Sequence, residues 1–407
     1  MGCMRTLPAL AMVFALSACT GGIQAPPPTA GHLRLFEATA NRIAVIDTST
    51  HSTIRNLPLG VPSADWKHLY SLNGSTLVDT DPETGATSRT IELPGRYQLP
   101  AATSTGLPRG TSPNGVWLAV ESYEVQAGAT PSATHLVILN TVEPGVRRTV
   151  NLAGYFNFDA ISNDGERLYL IQYLNGREYY VRLYDVISGK LDANIVVDKS
   201  NGEQSMSGTR LSGIATPDGN WLFSMYVRES DGPFIHALSL DGPFAFCLDL
   251  PGSGYGSSDT ARHWSIAMDR AGNALYAVNS ATGVVAEIDN SQQYNPQVKR
   301  TTHISVGRSA SVGSNAAVIS PDGKWLIAAG SSGLVWIDTT TLAVRTQALR
   351  DWHIWTLGMS PDGMEVYAVS DSGSVAGLAT TTGRVLSTFD TAEGRPMALM
   401  RVASASA

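Results

Sequence analysis

The chain has 407 residues, and only 15% of them are charged, against about 25% in typical soluble proteins. The formal net charge is −7, which argues against a nucleic-acid-binding surface because such surfaces are basic. The 39 glycines indicate a protein rich in turns.

The first 19 residues have the pattern of an export signal. One arginine lies in residues 1–6, residues 7–15 are apolar, and the run ends in small residues and Cys19. The apolar run is too short to span a bilayer. It resembles the bacterial lipobox, which implies diacylglyceryl attachment to Cys19 and cleavage before it. An ordinary signal peptide with an incidental cysteine is the alternative.

Residues 20–31 (TGGIQAPPPTAG) are predicted to be a flexible tether. The protein is therefore expected in the cell envelope, anchored to a membrane by the lipid on Cys19 and facing the periplasm or the extracellular side. Cys3 would be lost with the leader, and Cys247 would remain as a lone thiol. No disulfide could then form, so the fold must depend on its hydrophobic core.

A repeat covers the chain from residue 32 onward. Its marker is a tight turn followed by an alternating strand, as in ISPDGKWLIA (319–328) and MSPDGMEVYAV (359–369). Proline and aspartate favour such a turn, and glycine takes the positive φ that closes it. The turn glycines lie 40 to 54 residues apart; they are Gly115, Gly165, Gly219, Gly272, Gly323 and Gly363. This period, with short strands in each unit, predicts a radial array of small sheets.

Each unit contains four short β-rich stretches bounded by turn residues. Full units number seven, and the copy at 59–97 is worn. An eighth set of second, third and fourth strands begins at His32, and RPMALMRV (395–402) is expected to supply its first strand. We therefore predict an all-β chain: a single β-propeller over residues 32–402, with eight four-stranded blades closed by N- and C-terminal strands in one blade, and a disordered tail at 403–407. Seven blades is the alternative if the worn unit packs irregularly.

The repeated S-P-D-G-x-x-L-Y-A-V unit is followed by an I-D-T-x-T-G-like turn, as in DPETG at 81–85. These letters resemble the YVTN/WD-repeat-like β-propeller families of bacterial envelope proteins. The resemblance covers about residues 32–402 and implies the propeller fold. It implies no single activity, because such propellers include scaffolds, lactone hydrolases, dehydrogenase subunits and ligand carriers.

The resemblance also implies that ligands bind the face where innermost strands begin and second strands end. When the repeats are aligned on their turn glycines, the residues eight to ten positions earlier bring bulky and cationic side chains to this face. Aromatic surfaces beside cations suit an anionic or π-bearing small ligand. The alternative is structural: the side chains fill the narrow end of the channel and wedge adjacent blades apart. The predicted ligand-binding residues are Tyr155, Phe156, Arg210, Arg262, His263, Trp264, Trp352, His353 and Trp355.

No G-x-S-x-G, H-E-x-x-H, paired C-x-x-C or EF-hand motif occurs, so no catalytic residue and no cofactor is predicted. A metal shared by His263 and His353 is an alternative. We expect a monomeric, non-enzymatic envelope lipoprotein that binds a small molecule or an envelope protein and no nucleic acid. Two alternatives stay open: an enzyme of the propeller-lactonase or periplasmic-dehydrogenase kind, with His263, His353 and Arg210 as acid/base or anion-stabilising groups, and a pure assembly scaffold.

Overall fold

Eight successive antiparallel sheets form an eight-bladed β-propeller. The computed structural model describes residues 32–101, 107–126, 129–175, 178–198, 204–292, 294–305, 316–330, 333–391 and 393–405. The predicted leader, the tether and Cys19 lie outside these residues. In this part of the chain no helix is long and apolar enough to cross a membrane.

The first blade joins the two ends of the described chain. It contains β1 (Leu33–Ala38), β2 (Arg42–Asp47) and β3 (Ser52–Pro58), and the last strand, β33 (Ala398–Ser404), pairs with β1. The predicted closure by both termini is therefore confirmed. The strand runs two residues beyond 402, so Ala403, which is buried, and Ser404 belong to the blade and not to a disordered tail.

The next three blades follow in chain order. The second contains β4 (Val61–Pro62), β5 (Leu69–Asn73), β6 (Thr76–Thr80) and β7 (Thr87–Glu92). The third contains β8 (Trp117–Glu124), β9 (Ala133–Asn140) and β10 (Gly145–Ala153), and the isolated bridge between Thr111 and Leu118 marks its inner edge. The fourth contains β11 (Phe156–Ile161), β12 (Arg167–Asn175), β13 (Glu178–Asp185) and β14 (Lys190–Ile195). The worn unit thus forms the second blade, and the seven-bladed alternative is wrong.

Two short strands lie between the fourth and fifth blades: β15 (Val197–Asp198), which runs parallel to β20, and β16 (Met206–Ser207), which pairs with β13. The fifth blade contains β17 (Thr209–Ala215), β18 (Trp221–Val227), β19 (Phe234–Ser239) and β20 (Phe244–Asp249). A 3₁₀ turn at Asp259–Arg262 leads into the sixth blade.

The last three blades are regular four-stranded sheets. The sixth contains β21 (Trp264–Met268), β22 (Ala274–Asn279), β23 (Val284–Asp289) and β24 (Gln297–His303). The seventh contains β25 (Ala317–Ile319), β26 (Trp325–Gly330), β27 (Gly333–Asp338) and β28 (Val344–Ala348). The eighth contains β29 (Ile354–Met359), β30 (Glu365–Ser370), β31 (Ser374–Ala379) and β32 (Val385–Asp390).

The repeated tight turn depends on a local set of hydrogen bonds. In the seventh blade Ser320 Oγ donates to Asp322 Oδ1 at 2.6 Å, and Gly323 has a φ of 72°. The eighth blade repeats the bond between Ser360 and Asp362. The hydroxyl of Ser320 also holds the pKa of Asp322 below its usual range. These aspartates therefore build turns, and their short side chains satisfy donors nearby.

The core lies between the blades, because alternate strand residues face the neighbouring sheet. Phe223 of the fifth blade packs in one cluster with Trp264 of the sixth. Trp336 of the seventh blade is 1% exposed and donates its Nε1–H to the Thr380 carbonyl of the eighth at 2.8 Å. At the closure, Leu399 of β33 packs in one cluster with residues of the eighth and first blades. Ring closure is thus a hydrophobic contact as well as a strand pairing.

Candidate functional site

A cavity of about 610 Å³ opens on the face where the inner strands of the fourth and fifth blades begin. Its walls come from β11, from the ends of β12 and β18, from the start of β13, and from the segments that lead into the third, fifth and sixth blades. This is the face on which the sequence predicted ligand contacts. The residues discussed below that line it are Arg109, Asp159, Tyr173, Tyr179, Arg210, Tyr226 and Tyr255.

One carboxylate lies between two guanidinium groups in this cavity. Arg210 Nη1 donates to Asp159 Oδ1 at 2.6 Å. Arg109 Nη2 lies 3.6 Å from the same oxygen and donates to the Phe158 carbonyl at 2.7 Å. The side chains of Asp159, Arg210 and Arg109 are 2%, 11% and 21% exposed. Residues that lead into or belong to three successive blades therefore form one buried charge cluster, called here the Arg–Asp–Arg group.

Irregular strand pairing accounts for the position of this group. The register of β11 against β12 shifts between Phe158 and Ala160, so Asp159 is the extra residue of a bulge. The register of β17 against β18 shifts in the same way just after Arg210. Bulges bend a strand and redirect the side chains beside them. A Cβ atom at Gly213 would overlap the Arg210 guanidinium, so the bare glycine leaves the space that this group occupies.

The base of the cavity is shielded from water. Burial and the neighbouring charge of Arg210 lower the pKa of Arg109 to about 10. Burial raises the pKa of Glu121, whose Oε2 accepts the backbone N–H of Phe158 at 3.1 Å. Burial also raises the pKa of Tyr226. Charges in such a site interact more strongly than at the surface, because little water screens them.

Three residues that line this cavity each have a covered side-chain polar atom without a hydrogen-bond partner in the described structure. These atoms are Arg109 Nε, Arg210 Nε and the Tyr179 hydroxyl. The Tyr179 ring lies 6.2 Å from the Tyr226 ring, and burial followed by this neighbour raises the pKa of Tyr179 well above its usual value. Buried polar groups are normally paired, so each unpaired group needs an explanation. These three groups belong to residues that surround one cavity.

Tyrosine rings pack in a row that starts with two lining residues, Tyr179 and Tyr173, and continues behind them. Tyr155 stacks on Tyr173 with ring centroids 4.7 Å apart, and Tyr173 contacts Tyr179 at 6.3 Å. Tyr123 meets Tyr155 edge to face at 5.6 Å. Across the cavity lies Tyr255, which carries the guanidinium of Arg262 over its ring at 4.2 Å. Such rings offer flat apolar surfaces to an aromatic ligand.

Three of the predicted ligand-binding residues lie at or next to this cavity. Among the described lining residues, Arg210 is the one member of the predicted set. Tyr155 and Arg262 lie one contact behind the wall, on Tyr173 and Tyr255. These positions agree with the predicted face.

The other six predicted residues lie elsewhere. Phe156, His263 and Trp264 are 2%, 5% and 1% exposed. Phe156 and Trp264 pack in the clusters between blades, which is the structural alternative stated for them. The rest belong to the eighth blade: Trp352 packs on its core, Trp355 carries the Arg395 guanidinium at 3.5 Å, and His353 lies 3.6 Å from Asp371. The described residues contain no cluster of three or more His, Cys, Asp or Glu that could hold a metal ion.

Arg109 and Asp159 were not predicted, although the sequence carries a signal for them. Each lies six positions before the turn glycine of its repeat, and Gly213 has the same position in the fifth blade. The later repeats place Ile266, Ala317 and Leu357 there. A charged residue at an otherwise apolar repeat position marks the site.

Comparison with known proteins identifies a fold and no family. No protein-family model matches the chain, and no curated protein is similar to it. Its structure is similar to dihydro-heme d1 dehydrogenase NirN in complex with DHE, with a TM-score of 0.55, 13% identity, and coverage of 92% of this chain and 75% of that chain. The periplasmic gluconolactonase PpgL of Pseudomonas aeruginosa has a TM-score of 0.43 and 16% identity, covering 90% of this chain and 97% of that chain. Hydrazine synthase of Kuenenia stuttgartiensis has a TM-score of 0.44 and 16% identity, covering 74% and 90%. The chain is an all-β, eight-bladed β-propeller that is similar in fold to NirN.

Proposed function

We propose that this protein is a lipid-anchored propeller of the cell envelope that binds a small aromatic anion in the cavity at the Arg–Asp–Arg group. The observation that carries the proposal is that two guanidinium groups, those of Arg109 and Arg210, line one cavity together with tyrosine rings, while Asp159 is, among the described residues, the one carboxylate that both approach. The anchoring rests on the lipobox-like sequence that ends at Cys19.

The chemistry of the walls supports this class of ligand. An oxyanion at the base would accept charge-assisted hydrogen bonds, which are the stronger kind. The ring of the ligand would then lie against Tyr173 and Tyr255. The cavity volume of about 610 Å³ lies within the range of small-molecule sites.

An enzyme built on the same cavity is the second candidate. NirN, whose name describes a dehydrogenase in complex with DHE, has this fold, although at 13% identity the likeness extends to the fold alone. In an enzyme, the two arginines would stabilise negative charge on the substrate or transition state. Turnover of a bound ligand would separate this candidate from a binding protein.

The direct test is isothermal titration of the full chain with 2-naphthyl sulfate and with neutral 2-naphthol. We expect the sulfate ester to bind about tenfold or more tightly than the alcohol, since the charge-assisted bonds add about 1–3 kcal/mol. Arg210→Ala should remove most of that difference. The control is Arg345→Ala, because Arg345 is 53% exposed and pairs with Asp338 on the outer part of the seventh blade. Absence of sulfate binding, or equal binding to wild type and Arg210→Ala, would contradict the proposal.

A further inference from the structure

The charges that the protein itself places at the base of the cavity limit what a ligand can add. Arg109 and Arg210 supply two positive charges. The carboxylate of Asp159 already lies close to both guanidinium groups. Glu121, 3% exposed, is near enough to Arg109 for their charges to interact, and it accepts the backbone N–H of Phe158. Two cations thus face two carboxyl groups in a site that little water reaches. Asp159 alone offsets one of the two positive charges, so a ligand can balance at most one more.

Asp159 cannot move aside when a ligand enters. It lies on a bulge of the inner strand, its side chain is 2% exposed, and Arg210 holds it at 2.6 Å. A bound oxyanion must therefore share Arg210 with Asp159. Like charges within a few ångströms in a poorly solvated site disfavour each other strongly.

The described residues of the cavity rim do not offer a second anion site. Glu178 and Glu229 line it and are exposed. Arg228 also lines it, but its guanidinium lies 4.0 Å from the Phe234 ring centroid and 3.9 Å from Asp249. A second negative group that points out of the cavity would meet carboxylates there.

We infer that the ligand carries a single negative charge, as in a carboxylate or a sulfate ester, and that the cavity discriminates against dianions such as phosphate monoesters. Asp159 is the residue that sets this limit, because it is the buried charge that a dianion would face directly. This inference rests on the proposed function, since it concerns the ligand of the same cavity.

A matched pair of probes tests the inference on the full wild-type chain. 2-Naphthyl sulfate and 2-naphthyl phosphate have the same ring and the same tetrahedral head, but at about pH 8 the phosphate carries one more charge, because its second pKa is about 6. We expect the sulfate to bind at least about tenfold more tightly at about pH 8, and the two affinities to agree within about threefold at about pH 5, where the phosphate is a monoanion. The comparison cancels effects of pH that act equally on both probes.

The variant Asp159→Asn assigns the selectivity to one side chain. Asparagine keeps an oxygen for Arg210 but removes the charge, so the gap at about pH 8 should narrow at least about threefold. Equal affinities for both esters at about pH 8 in wild type, or tighter binding of the phosphate, would overturn the inference and leave the proposed function standing. Failure of both esters to bind would overturn the proposed function as well. If folded Asp159→Asn keeps the same ratio of sulfate to phosphate affinity at about pH 8, Asp159 is not the cause of the selectivity. If this variant does not fold, the affinities of the two esters for wild type still decide whether the cavity discriminates against dianions.

Discussion

The carboxyl group of Glu37 should make the protein less stable as the pH rises from acid to mildly basic values. Glu37 lies on β1, is 0% exposed, and neither of its oxygens has a hydrogen-bond partner among the described residues. The same register position holds Val120 and Ala328 in the third and seventh blades and Ser71 and Ser224 in the second and fifth, so Glu37 is an acidic group where these blades have a small or apolar one. Burial, and then the negative charge of Glu393, raises its pKa from 4.5 to about 8. Glu393 is itself paired with Arg42.

The direction follows from the raised pKa. Above pH 4.5 the unfolded chain ionises at this residue while the folded chain keeps its proton. The free energy of unfolding therefore falls with rising pH until the pH passes about 8. Each tenfold difference in proton affinity is about 1.4 kcal/mol, so the full displacement corresponds to at most about 5 kcal/mol of unfolding free energy. That is a large share of the stability of a typical domain, which is about 5–15 kcal/mol.

Urea unfolding of wild type and Glu37→Gln at about pH 5 and about pH 8 measures this effect. Because glutamine cannot ionise, the unfolding free energy of the variant relative to that of wild type should be about 3–5 kcal/mol higher at about pH 8 than at about pH 5. The control is Glu92→Gln, since Glu92 is exposed on the outer strand β7 of the second blade and should change little. A stability difference between wild type and Glu37→Gln that is the same at both pH values would refute the reasoning.

Three further changes test the site, the closure and the anchor. Gly213→Ala should displace the flexible end of Arg210 and weaken 2-naphthyl sulfate binding by about tenfold, with little change in melting temperature. In an Arg210→Ala background the same change should not weaken binding further. A further loss of affinity in that background would contradict this positioning role. Deletion of residues 398–407 should expose the edge of β1 and remove Leu399 from the core. We expect the unfolding free energy to fall by several kcal/mol, on the order of a lost structural element. An unchanged melting temperature would contradict closure by this strand. Cys19→Ala should release the protein from the membrane fraction, and unchanged partition would end the lipoprotein interpretation.

The fold could be predicted because its signals are local. The turn at Ser320–Gly323 depends on a hydrogen bond between residues two apart and on one positive φ. The four residues Ser-Pro-Asp-Gly are enough to predict both. Strand alternation after each turn sets which residues face the next blade. The count of strands then implied that β33 completes the first blade, because an unpaired edge is unfavourable.

The site could be predicted only in part, because it depends on contacts between blades. The repeat places Arg210 on the face where the cavity opens, and ligand binding there stays a prediction. Whether a side chain near the start of an inner strand points into the cavity or into the core is set by bulges and by the neighbouring sheet. Trp264, two residues after the end of the 3₁₀ turn, packs in the core because a large apolar surface is more stable there. Asp159 reached the cavity because a bulge redirects it, and it is stable there because arginines from the segments beside it are close enough to share its charge. No single repeat contains that information, since the partners lie about fifty residues apart in sequence and meet only when the ring is formed.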